Sequence, residues 1–173
     1  MSTIVLLVAT GLGLGALYFL IASGLSLSYG LMRVLNFAHG IFLTVGAYAS
    51  WWLALHLPAA APWRFAVALA GCLVAGALAA GLVEVGLIRP LYRRHIEQVL
   101  VTVGLALAFT ALVQGRFGPD PKPYPSPAWT QGVTRIAGAS VPDSRLLAIA
   151  VAIAVFAGLQ GFLRFSRWGL VVR

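Results

Sequence analysis

Charge is what this chain has least of. Charged residues make up 9% of its 173 positions, against about a quarter in ordinary soluble domains, which excludes a soluble core of the usual kind. Acid is scarcer still, with 4 Asp and Glu against 12 Lys and Arg. The one cysteine, Cys72, lies inside an apolar run, so no internal disulfide forms. No Cys/His spacing suited to a metal occurs either. The phosphate-cradling pattern G-x-x-x-x-G-K-[ST] is missing, so this chain is not expected to bind ATP itself. Gly11-Leu12-Gly13-Leu14-Gly15 lacks both the GxGxxG spacing and a following acid, which makes it a packing feature rather than a dinucleotide site. No nucleophile, base and orienting group can be assembled, so no catalytic residue is expected. The N-terminus carries no Lys or Arg before its first apolar run. That run is too long and wrongly flanked for a cleaved signal peptide, and reads as a retained first span.

What the chain has instead is 61% hydrophobic residues, gathered into five runs. They cover about Thr3 to Tyr29, Ile41 to Leu57, Phe65 to Ile88, Val99 to Gly115 and Leu146 to Leu163. At about 20 residues per helical span, this predicts an all-α polytopic membrane bundle of about five transmembrane helices. In a soluble protein the formal charge of +8 would point to nucleic acid. Here the basic residues sit in short connections, so orientation in the membrane accounts for them and no nucleic-acid partner is expected. The connections at 30–40, 89–97 and 164–173 hold seven of them: Arg33, Arg89, Arg93, Arg94, Arg164, Arg167 and Arg173. The opposite side holds five, Arg64, Arg116, Lys122, Arg135 and Arg145. The denser side is expected to be cytoplasmic, which puts the N-terminus outside. Trp51, Trp52, Trp63 and Trp168 lie near run ends, where indole rings favour the membrane–water interface.

Residues 116–145 form a polar loop with Pro119, Pro121, Pro123, Pro125 and Pro127 at every second position. Fixed φ at each proline and an extended preference before it predict a stiff polyproline-like strut over the outer side. Gly11 with Gly15, and Ala77 with Gly81, are small-xxx-small pairs that allow close helix approach.

Two polar features interrupt the apolar pattern. Asn36-Phe37-Ala38-His39-Gly40 is wedged between the first two runs, where polar groups are costly unless protein or water meets them. His39 and Asn36 can cap the second helix or line a path, and the residues leave both roles open. His56 and His95 fall at span ends or in a connection and read as interfacial. Glu84 is the lone acid well inside a run, and an ion pair with Arg89 or Arg93 is the expected resolution, ahead of a proton relay.

The segment Gly30 to Tyr48, GLMRVLNFAHGIFLTVGAY, closely resembles the signature of branched-chain amino acid ABC transporter permeases. Glu84 with Arg89-Pro90-Leu91, Val101 to Leu105, Phe117-Gly118-Pro119 and Ser166 to Leu170 resemble later parts of the same family, in order. The resemblance implies a single permease domain over 1–173, corresponding to the N-terminal part of a longer family plan and C-terminally incomplete against it, with 116–145 as an extracytoplasmic loop. It implies a subunit of an ATP-driven importer in a bacterial inner membrane, carrying branched-chain or related amino acids. Its partners would be a second permease subunit, cytoplasmic ATPase subunits holding ATP and Mg, and an extracytoplasmic amino-acid-binding protein. In that setting Arg33, Asn36, His39 and Gly40 would shape a broken-helix element beside the path, while Glu84, Arg89 and Arg93 fix a span end. Two rivals remain: a non-transporting membrane scaffold, and an ion-coupled secondary transporter using Glu84 and His39.

Overall fold

Among the described residues there are five α-helices, and each begins or ends where the sequence changes character. In the computed structural model, residues 2–32, 36–58, 62–136 and 138–165 are described. Arg33, Arg167, Trp168 and Arg173, and with them the Ser166 to Leu170 motif, lie outside these residues. The helices are α1 (Ser2–Met32), α2 (His39–His56), α3 (Arg64–Val83), α4 (His95–Phe117) and α5 (Asp143–Phe165). Two short strands, β1 (Val133–Ile136) and β2 (Ala139–Pro142), precede α5. The all-α polytopic reading therefore holds. Four helical stretches, Thr3–Gly30, Arg64–Leu91, His95–Phe117 and Asp143–Arg164, are long and apolar enough to cross a membrane. α2 is shorter: its 18 residues rise about 27 Å, against an apolar bilayer core of about 30 Å. The chain is thus a multi-pass membrane protein.

α3 does not stop at Val83. It widens into a π turn over Glu84–Ile88 and then tightens into a 3-10 turn over Arg89–Leu91. Pro90 explains the change. Its ring has no N–H to offer and crowds the carbonyl one turn earlier, so the Arg89 N–H bonds back five residues to the Glu84 carbonyl.

The described residues fall into two compact units. The first contains α1, the β-hairpin and α5. Phe19 meets Phe156 edge-on with centroids 5.9 Å apart, and the Arg145 guanidinium donates to the Thr10 carbonyl. These pairings run in the same sense along both helices, so α1 and α5 are parallel. The hairpin is antiparallel, Thr134 facing Val141 and Arg135 facing Ser140, and Gly138 turns it with φ +80°, where a side chain would be strained. Ala139 and Val141 are buried and alternate with exposed neighbours, so β2 turns one face inward, and it packs on α1. At the start of α5, Asp143 accepts a 2.6 Å bond from the Thr134 hydroxyl, while its own N–H reaches the Gly132 carbonyl at 3.0 Å.

The second unit contains α2, α3, α4 and the proline segment as far as Pro125, while Ser126 onward belongs to the first. α2 and α3 form a tight antiparallel hairpin. A Cβ on Gly46 would stand 2.9 Å from both the carbonyl oxygen and Sγ of Cys72, and one on Gly76 would stand 3.3 Å from the Phe42 carbonyl. A Cβ on Gly71 would run into the Leu53 side chain. The small-residue pairs singled out in the sequence do not make the close approaches: an added Cβ at Gly11, Gly15 or Gly81 meets nothing within 4 Å. Arg64, opening α3, donates to the Ala54 carbonyl near the end of α2. Gly118 ends α4 with φ +82°, and Pro127 takes φ −60°, ψ 148°, close to polyproline II. The polar loop is more built than a strut alone, since the 3-10 turn Ala128–Thr130 and the hairpin occupy its second half.

Candidate functional site

The site grows from the turn that starts α2. The Asn36 side-chain oxygen accepts the Ala38 N–H at 2.9 Å, and the Asn36 carbonyl accepts the His39 N–H at 3.2 Å. This is an Asx turn, by which a short amide side chain replaces a helical partner and starts a new helix. Asn36 is buried and serves as the lead-in to α2 rather than its N-cap, which is Ala38. His39 is the first residue of α2 and half-buried, with its ring edge-on to Phe42. Gly40 follows it.

From Gly40 one face of α2 runs through Thr44 to Tyr48 in steps of four residues. Within the same unit a face of α4 runs alongside from Ala106 through Thr110 to Gln114. Between them lies a cavity of about 430 Å³, bordered at one end by Gly118 to Lys122. Phe37, Ile41, Phe109 and Val113 give it apolar walls. Thr44 donates to the Gly40 carbonyl at 2.9 Å and Thr110 to the Ala106 carbonyl at 2.8 Å. Each hydroxyl proton is thus spent within its own helix, leaving oxygen lone pairs as the polar points of an otherwise apolar wall. Asp120 and Lys122 line the end formed by the proline segment.

That segment is pinned in place. The Trp51 indole N–H donates to the Pro123 carbonyl at 3.2 Å, and Ser50 shares a 2.9 Å hydroxyl–hydroxyl bond with Tyr124. Beneath them Tyr48 and Phe117 lie 4.5 Å apart, Trp51 stands edge-on to Phe117, and the Arg116 guanidinium sits 5.6 Å over the Phe117 ring. The C-terminal half of α2 therefore holds the proline segment, through Trp51 and Ser50.

Of the residues expected to shape a path, Gly40 lines the cavity. Asn36 sets the turn beneath it, His39 is not among the lining residues, and Arg33 lies outside the described residues. Glu84 is reached by the Tyr92 hydroxyl. It stands within ion-pair distance of neither Arg89 nor Arg93; among the described residues the ion pair joins Arg94 to Glu97 at 3.1 Å, exposed on both sides. Accepting the Tyr92 proton, Glu84 pushes that phenol above its ordinary range, with partial burial adding to the effect. Among the described residues, no group of three or more His, Cys, Asp and Glu could hold a metal.

Sequence reasoning missed Thr44, Thr110, Asp120 and Lys122, and the buried Gln98 and Thr102 of α4. A signal was present: Gln98, Thr102, Thr110 and Gln114 fall at multiples of four along α4, and Thr44 and Tyr48 repeat that step on α2. Polar residues one step of four apart within an apolar run lie on adjacent turns of the same side, where contact with lipid is costly.

Long apolar helices, with a mixed polar and apolar cavity between α2 and α4, make this a polytopic membrane protein. Comparison with known proteins takes this further: the family model described as the permease component of the branched-chain amino acid transport system matches residues 7–173, and the chain belongs to that family. It is 25% identical over 171 residues to the high-affinity branched-chain amino acid transport system permease protein LivH of Escherichia coli K12, and equally to that of Escherichia coli O157:H7. The aligned region covers 94% of this chain and 56% of either relative, so the chain spans little more than half the length of the curated relatives it matches. No solved structure matches it.

Proposed function

We propose that this chain is a membrane-spanning permease subunit that forms part of the path for branched-chain or related amino acids in an ATP-binding-cassette importer. The family match across residues 7–173, on a chain with four membrane-capable helices, carries the reading. In this reading 1–173 is one permease domain in a bacterial inner membrane, with its N-terminus and the 116–145 loop on the extracytoplasmic side. The chain is no enzyme: ATP and Mg belong to cytoplasmic ATPase subunits, and a soluble binding protein delivers the amino acid to this chain and a second permease subunit. The cavity between α2 and α4 supplies a section of the route, with Asn36 setting the turn beneath it and the Glu84–Tyr92 contact fixing the end of α3.

Uptake of radiolabelled L-leucine into vesicles bearing the natural protein with its partner subunits tests this. The expected result is uptake that requires ATP and survives an uncoupler. Uptake that collapses with the uncoupler and persists without ATP would favour ion coupling instead. No uptake under either condition would favour a scaffold.

A further inference from the structure

We propose that the cavity between α2 and α4 binds a free α-amino acid by both of its charges, Asp120 taking the ammonium group and Lys122 the carboxylate. The inference rests on the permease reading above and assigns to it a place and two residues. Asp120 and Lys122 stand two positions apart at one end of the cavity, and among the described residues neither has an ion-pair partner. In an extended chain two positions span about 6 Å, and the long Lys122 side chain can reach past the short Asp120 carboxylate, which leaves room for a zwitterion between the two charges. Pro119, Pro121 and Pro123 flank the pair, and each fixes its own φ. The segment is anchored further by Trp51 at Pro123 and Ser50 at Tyr124. Little ordering is therefore left to be done on binding.

The rest of the cavity suits the other end of such a molecule. Both charged residues are exposed, so the charged end is the open end. Phe37, Ile41, Phe109 and Val113 line the walls, where an aliphatic side chain loses its contact with water. A volume of about 430 Å³ lies toward the small end of ligand pockets, about 300–1,000 Å³. A monoamine or a monocarboxylate would satisfy one charge and leave the other unpaired, so the arrangement favours the zwitterion over either.

The test uses the natural protein in lipid nanodiscs, with radiolabelled L-leucine as probe. Isopentylamine, which lacks the carboxylate, and 4-methylpentanoate, which lacks the ammonium group, serve as competitors. Asp120→Asn is expected to weaken L-leucine and isopentylamine about three- to tenfold and to spare 4-methylpentanoate. Lys122→Gln is expected to weaken L-leucine and 4-methylpentanoate to a similar degree, about what one exposed charge-assisted contact gives, and to spare isopentylamine. The exchange D120K/K122D should recover L-leucine binding lost in either single variant, which a folding defect would not allow. Unchanged L-leucine binding in both single variants would overturn the proposal, as would an equal loss for all three compounds or no L-leucine binding by the wild type. L-Leucine uptake that continues alongside such a result would leave the permease reading standing. Binding with the expected pattern but without uptake would uphold the subsite and remove the transport role.

Discussion

The α2–α3 hairpin and the α1–α5 pair are written in nearly the same alphabet of leucine, alanine, valine and glycine, yet they pack on different terms. In the hairpin, Gly46, Gly71 and Gly76 sit where the neighbouring helix leaves little room for a side chain, least at Gly46, where backbone stands in the way. In the α1–α5 pair, Gly11 and Gly15 face open space, and contact is made through Phe19 on Phe156 and through Arg145 lying across Gly13. Glycine content alone is therefore no measure of close packing. Without a hydrophobic driving force between helices in lipid, what counts is whether the small residue faces the partner.

The largest effect should come from Gly46→Ala. Its methyl would press on the Cys72 backbone oxygen, which moves only if the helices part, so a loss of about 1–3 kcal/mol is expected. Thermal unfolding in detergent measures it, and a stability equal to wild type would break the contrast between the two pairs. Gly71→Ala should cost less, because the obstructing atom is the free end of Leu53.

Asn36→Leu removes the acceptor that starts α2 and leaves the Ala38 N–H without its partner, at about 1–2 kcal/mol. As a hypothesis, leucine uptake should fall several-fold while the amount of protein in the membrane is kept, and Asn36→Asp, which retains the oxygen, should preserve most of it. Normal uptake by Asn36→Leu in a complete complex would remove Asn36 from the path. In the first unit, Asp143→Ala takes away the acceptor for Thr134 and a negative charge at a helix N-terminus, together about 1 kcal/mol. Faster proteolysis between α4 and α5 would report the loosened hairpin.

Gly11→Ala sharpens the comparison from the other side. With nothing within 4 Å of the new methyl, stability should stay within about 0.5 kcal/mol of wild type, and a large loss would mean that this face of α1 is covered. The smallest effect concerns Tyr92. Its phenol is raised above the ordinary value by the Glu84 bond, so the contact stabilises the fold in full below the unfolded-state pKa of about 10. The contribution is lost as pH rises through the higher folded value. Tyr92→Phe should flatten that alkaline limb of the melting profile; an unchanged limb would show that the bond adds nothing.

The sequence by itself determined the helices and the family. Each follows from one-dimensional facts: runs of apolar residues with almost no charge, Pro90 and Gly118 where helices change or end, and GLMRVLNFAHG in its place. Tertiary structure decided that Gly46 rather than Gly11 makes the close approach. It also decided that Tyr92 rather than an arginine meets Glu84, and that Thr44, Thr110, Asp120 and Lys122 share one cavity. The physical reason lies in the solvent. In water a helix declares its inner face by being apolar on one side, whereas in lipid both faces are apolar and the sequence loses the record of which way each helix is turned. Only the few polar residues spaced by four keep that record, and only the packed helices show what they face.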